Sequence, residues 1–123
     1  MKTVFTKDAP VPIGPYSQGV IANGMLYCSG QIPIDPKTGR IVDGDVSAQT
    51  EQVCENIAAV LSAAGLGFSD VVKTTCFLAD MQDFAQFNAV YERYFVSKPA
   101  RSCIAAKQLP AGASVEVEVI AVL

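Results

Sequence analysis

Val71-Val72-Lys73-Thr74-Thr75-Cys76-Phe77-Leu78-Ala79 decides the fold. Valine, threonine and phenylalanine dominate this run, and they favour a pleated strand. Just upstream, Val46, Thr50, Val53, Cys54, Ile57, Val60, Leu61 and Ala64 recur at helical spacing, which predicts an amphipathic helix over about 46–64. Asp45 is placed to cap it and Gly65 to end it. Ala58, Ala59 and Ala63 form a small-residue flank suited to close packing on a sheet. A helix between strands is a crossover, and it makes a right-handed β-α-β unit if 71–79 pairs parallel with what precedes the helix.

What precedes it is a hairpin. Asn23-Gly24 is the strongest short turn signal in the chain, joining Tyr16–Ala22 to Met25–Pro33. Gly30 interrupts the second arm, as at a bulge or a close backbone approach. Residues 3–5 predict a short edge strand, the proline-stiffened run Asp8–Pro15 an ordered loop, and Asp35–Arg40 a tight turn. Downstream, Asp80 caps a second helix whose inner face carries Phe84, Phe87, Asn88, Tyr91 and Phe95. Strands over about 101–108 and 114–122, separated by Leu109-Pro110-Ala111-Gly112, complete a single domain over residues 1–123. Two helices and about six strands give an α+β fold, with both helices on one face of a mixed sheet. The other sheet face stays apolar, which predicts oligomerisation through it.

Composition narrows the chemistry. Half of the 123 residues are apolar and 17% are charged, rich for so small a monomer. The net charge of −3, a pI of about 4.7 and the lack of a basic cluster argue against a nucleic-acid surface. There is no histidine, which removes histidine triads and imidazole metal sites, and with no Cys-x-x-Cys pair no metal site is expected. Cys28, Cys54, Cys76 and Cys103 stand apart in apolar runs, as reduced, buried thiols of a cytoplasmic protein do. No leader peptide or membrane-length apolar run is legible.

Of three arginines, Arg40 lies in a turn and Arg93 on the polar side of a helix. Arg101 opens a strand within Pro99-Ala100-Arg101-Ser102-Cys103, where a desolvated guanidinium needs a carboxylate or phosphate partner. Glu116 and Glu118 alternate with valines and project from one face of the last strand. Taken alone, these are what a surface ion pair and a half-exposed strand look like. Together on neighbouring strands they would bind a small carboxylic acid and position a water beside it.

Ile13-Gly14-Pro15-Tyr16-Ser17-Gln18-Gly19, Ser29-Gly30-Gln31-Ile32-Pro33, Val72-Lys73-Thr74-Thr75, Phe87-Asn88 and Pro99–Cys103 with Val115-Glu116-Val117-Glu118 resemble, in order and over essentially the whole chain, the Rid family of reactive intermediate deaminases, once called YjgF, and its RidA branch in particular. The resemblance implies a chorismate-mutase-like fold and a homotrimer whose sheets form a central barrel, with sites between subunits. It implies hydrolysis of enamines and imines of the 2-aminoacrylate type to 2-keto acids and ammonium, without a cofactor. Arg101 matches the arginine that grips the substrate carboxylate and Glu116 the glutamate beside the attacking water. Tyr16 and Ser29 match residues lining the pocket. Cys103 matches a cysteine acting through its position, and Asn88 an asparagine near the site; Gly30 completes the binding set. Phe95-Val96-Ser97-Lys98-Pro99 is shorter than usual in bacterial RidA proteins, and in the family this loop bears on pocket size.

The residues suit that chemistry. A protonated imine is already electrophilic, so water addition needs positioning more than a strong base. Two other classes compete. Relatives carry labels such as endoribonuclease and translation inhibitor, against which the missing histidine and acidic balance both weigh. A non-catalytic or chaperone-like trimer that binds small carboxylates would use the same pocket.

Overall fold

A computed structural model describes residues 1–123. Asn23 and Gly24 both take positive φ, 52° and 74°, so β2 (Gly19–Ala22) and β3 (Met25–Cys28) close as a two-residue hairpin with Ala22 opposite Met25. β1 (Lys2–Val4) pairs on the outer edge of β2. Both hairpin arms are shorter than their sequence suggests. β2 starts only at Gly19, and β3 ends at Cys28. The backbone then leaves the ladder at Ser29-Gly30 so that Gln31 can exchange hydrogen bonds with Val117 (2.8 and 3.2 Å). The expected turn at Asp35–Arg40 is the loop of a second hairpin, β4 (Ile34–Asp35) with β5 (Arg40–Ile41).

The first helix, α1 (Val46–Ala63), has the caps its sequence specifies. Asp45 accepts from the Ala48 amide at 3.1 Å, and Gly65 at φ 76° lets the Leu66 and Gly65 amides reach the Leu61 and Ser62 carbonyls, both at 2.9 Å. Thr50, Val53, Cys54, Ile57, Val60 and Leu61 are fully buried. The alanine flank contributes less than expected: Ala63 is exposed and Ala58 half-buried.

The stretch that decides the fold is β6 (Val71–Leu78). It is followed by α2 (Phe84–Tyr94), β7 (Ala100–Ala105) and β8 (Val115–Val122). The six-stranded sheet runs β1-β2-β3-β8-β6-β7, and only β6 and β7 pair parallel. The β-α-β expectation therefore needs correcting. β8 inserts antiparallel between β3 and β6, so α1 links two strands that run the same way without touching, and the parallel neighbours are joined by α2. Asp80 caps a short 3-10 turn, Met81–Asp83, rather than α2 itself.

Both helices cover one sheet face. Val115, Val117, Val119 and Ala121 of β8 point into that core, as do Thr74, Cys76 and Leu78 of β6. A bulge at Val72 brings Val71 onto the same face as Thr74. The opposite face presents Tyr27, Ile104 and Val122, which are 45%, 53% and 42% exposed. No helix is long and apolar enough to cross a membrane.

Candidate functional site

The candidate residues fall into two groups on opposite faces of the sheet. Tyr16, Ser29, Gly30 and Glu116 line one cavity of about 840 Å³, with Glu118, Ile32 and Ile34 among its other walls. Glu116 comes from the uncovered side of β8, opposite Phe77. Gly30 passes directly over it: a Cβ there would stand 2.9 Å from the carboxyl carbon and 3.1 Å from Cγ. The close backbone approach expected at Gly30 is thus an approach to the candidate catalytic carboxylate. Because the obstructing atoms are the end of a flexible side chain, Gly30→Ala should fold almost normally while displacing that carboxylate. We expect a tenfold or greater fall in turnover with a melting temperature within about two degrees of the parent, measured side by side.

Ser29 is fixed from two directions. Its amide donates to the Gln18 carbonyl at 2.9 Å and its hydroxyl to the Ser17 carbonyl at 2.6 Å, leaving the hydroxyl oxygen free to accept. Gln18, which sequence reasoning passed over, organises this corner. It is 1% exposed; its Oε1 accepts from the Thr6 amide at 2.7 Å, and its Nε2 donates to the Thr6 and Pro10 carbonyls, both at 2.9 Å. The loop that presents Tyr16 is therefore tied to the start of β2. A glutamine inside an otherwise apolar strand signal was the available clue. Burial pushes the Glu116 carboxyl above the usual carboxylate range, and the Glu118 carboxylate adds to the effect.

Arg101 belongs to the other group. It pairs with Thr74 in the β6–β7 ladder, so it lies on the helix-covered face. Its Nη1 donates to Asn88 Oδ1 at 2.7 Å, and its guanidinium carbon lies 4.7 Å from the Tyr91 ring centroid and 5.4 Å from that of Phe84. The anionic partner expected for Arg101 is absent within the chain; a neutral amide and two aromatic faces offset its desolvation instead. Asn88, Tyr91, Lys98 and Arg101 line a smaller recess of about 390 Å³. Arg93, by contrast, pairs with Glu51 on the surface.

Cys103 shares the Arg101 face, opposite Cys76. All four cysteines are free thiols. Burial raises the Cys28 and Cys76 thiols to about 12 and pushes Cys54 higher still. Cys103 is also raised by burial, with Arg101 pulling the other way. A thiol held protonated at neutral pH is a poor nucleophile. Cys103→Ser should therefore keep most activity, and a loss matching that of Arg101 variants in the same assay would show that the thiol takes part in the chemistry.

The expected neighbour relation between Arg101 and Glu116 does not hold in one chain. β6 separates β7 from β8, and the two side chains leave the sheet on opposite sides. The structure thus holds two separate clusters: a cationic fork on the edge strand, and a carboxylate with two hydroxyls in an open cavity.

The fold is that of a mixed-sheet α+β protein with a guanidinium recess on one face of the sheet and a carboxylate-lined cavity on the other. Residues 6–123 match the family described as endoribonuclease L-PSP. The chain is 54% identical to a RutC family protein of Pyrococcus horikoshii, with 98% of this chain and 96% of that one covered. It is 50% identical to the 2-iminobutanoate/2-iminopropanoate deaminase of Salmonella typhimurium, with 98% and 97% covered. A Yersinia pestis protein of the conserved Rid family superposes with a TM-score of 0.96 at 48% identity, over 99% of this chain and 98% of that one. The chain belongs to this family, the Rid or YjgF family.

Proposed function

We propose that the protein hydrolyses reactive 2-imino acids to 2-keto acids and ammonium, in sites completed when Arg101 of one copy meets the Glu116 cavity of another. The observation that carries this reading is the division of Arg101 and Glu116 between opposite faces of one sheet. The half-identical Salmonella deaminase supports the reaction class. The uncovered second face, where Tyr27, Ile104 and Val122 stand exposed alongside the glutamates of β8, and an 840 Å³ cavity far larger than a four-carbon acid favour closure by another copy, a homotrimer around a central barrel in keeping with the family. Four free thiols, three of them buried and Cys103 only partly so, suit a cytoplasmic setting.

In this mechanism Arg101 grips the substrate carboxylate through the donors that Asn88 leaves free, a charge-assisted contact that fixes the imine carbon. Tyr16 and Ser29 orient the polar atoms around that carbon, and Cys103 and Gly30 shape the backbone beside them. Water attacks the carbon of the protonated imine (C=NH2+): a C–O bond forms and the C=N pair moves onto nitrogen. Glu116 accepts the water proton and returns it to that nitrogen. The remaining hydroxyl proton then passes to the Glu116 carboxylate, C=O re-forms as the C–N bond breaks, and the departing ammonia takes up that proton to leave as ammonium. A raised proton affinity suits a carboxyl that must take up and release a proton within one cycle. No cofactor takes part.

The test is ammonium release from freshly generated 2-iminobutanoate, in excess of spontaneous hydrolysis. Failure to accelerate it sinks the reading. An RNA cleavage assay run alongside addresses the family's endoribonuclease label; the absence of histidine and the net charge of −3 weigh against that activity. Carboxylate binding without turnover would instead support a non-catalytic or chaperone-like binding protein.

A further inference from the structure

Arg101 reaches its recess on a long side chain, yet only one of its polar atoms is tethered, by Asn88. What else holds it is aromatic. The Tyr91 ring lies 4.7 Å beneath the guanidinium carbon, and on α2 it is stacked against Phe95 at 4.1 Å with 20° between planes. Its hydroxyl is bonded to Thr74 Oγ1 at 2.8 Å, and Thr74 is the residue opposite Arg101 in the ladder. The ring is thus held at one end by α2 and at the other by β6, the strand that pairs with the one carrying Arg101. A core position facing Phe87 and Phe95 needs neither a hydroxyl nor an electron-rich face to be filled, so burial alone does not account for a tyrosine there.

We propose that Tyr91 is a positioning residue for Arg101: its braced ring holds the guanidinium flat, so that the edge not used by Asn88 is presented to the substrate carboxylate. The proposal rests on the reading of Arg101 as the carboxylate clamp. A fork ordered before the ligand arrives loses less rotamer freedom on binding, so removing the ring's negative face weakens carboxylate affinity without touching the reacting atoms.

The decisive series keeps shape and changes only ring electronics. Tyr91→Phe is followed by phenylalanines of increasing fluorination at the same position, in the full-length protein. Calorimetric affinity for 2-ketobutanoate, KM and kcat for 2-iminobutanoate, and melting temperature are measured for each. Tyr91→Phe should melt lower, because Thr74 loses its partner, and should bind nearly as the parent does. Affinity should then fall and KM rise stepwise with fluorination, to roughly fivefold, at constant kcat and constant melting temperature. Phe84→Leu, at the more distant ring, should cost about twofold. Flat affinity across the fluorinated series, in a parent that binds 2-ketobutanoate, overturns the positioning role while leaving the deaminase reading intact. A parent that binds the keto acid without releasing ammonium overturns the deaminase reading, and the affinity series still decides Tyr91. A parent that does neither overturns both.

Discussion

Arg101→Lys should lose imine hydrolysis by roughly a hundredfold, equivalent to about 3 kcal/mol of transition-state positioning, while the melting temperature should hardly move. The loss follows from three features that a lysine lacks. An ammonium is a point charge, so it does not satisfy Asn88 and a carboxylate as two edges of one rigid plane. It lacks the planar group whose carbon sits 4.7 Å from the Tyr91 ring centroid, so its flexible stem would be left to be ordered by the substrate itself. It is also more strongly hydrated, which raises the cost of contact in a partly buried recess. Stability is spared because the aliphatic stem still covers the same apolar surface and no intrachain ion pair is broken. Steady-state rates and thermal melts on the same preparation test this, and near-normal rates would return Arg101 to a surface-residue role.

The second large effect is a recovery. Arg101→Ala and Glu116→Gln should each be nearly inactive when expressed alone. Co-expressed in equal amounts, they should regain about a quarter of parental activity. If a site takes Arg101 from one copy and Glu116 from another, each requirement is met at about half of the sites in random assemblies, so about a quarter of sites are intact; the same fraction holds for any closed ring of copies. The prediction rests on the opposite-face placement of the two residues, because a chain that built its whole site by itself would gain nothing from mixing. Activity no greater than the mean of the two variants, in a sample shown by mass spectrometry to contain mixed assemblies, would sink the shared-site reading. A stable monomer at micromolar concentration by sedimentation equilibrium would do the same.

Much of this molecule is legible locally. The Asn23-Gly24 turn, the Asp45 and Gly65 caps of α1, the valine face of β8 and the burial of three cysteines depend on near neighbours in the chain, and the structure shows each where those neighbours place it. The family's motifs named the candidate residues, and Gly30 beside Glu116 shows how a break in a strand pattern marked a close backbone approach. Other features lay outside local reach. Gln18 and Tyr91 look like strand and helix filler until Thr6, Pro10 and Arg101 are brought against them. The mistaken nearness of Arg101 and Glu116 has the same origin. Alternation along a strand says which of its own side chains share a face, because the pleat has a period of two. It does not say which face of the finished sheet that is, nor which strands stand beside it. Those were decided when β8 entered between β3 and β6 and α2 returned the chain parallel to β6, choices made by burying one continuous core of residues far apart in sequence. The sequence by itself determined the elements and their inner faces. Only the tertiary structure put the arginine and the glutamate on opposite sides of the sheet, because strand order and register are set by non-local packing.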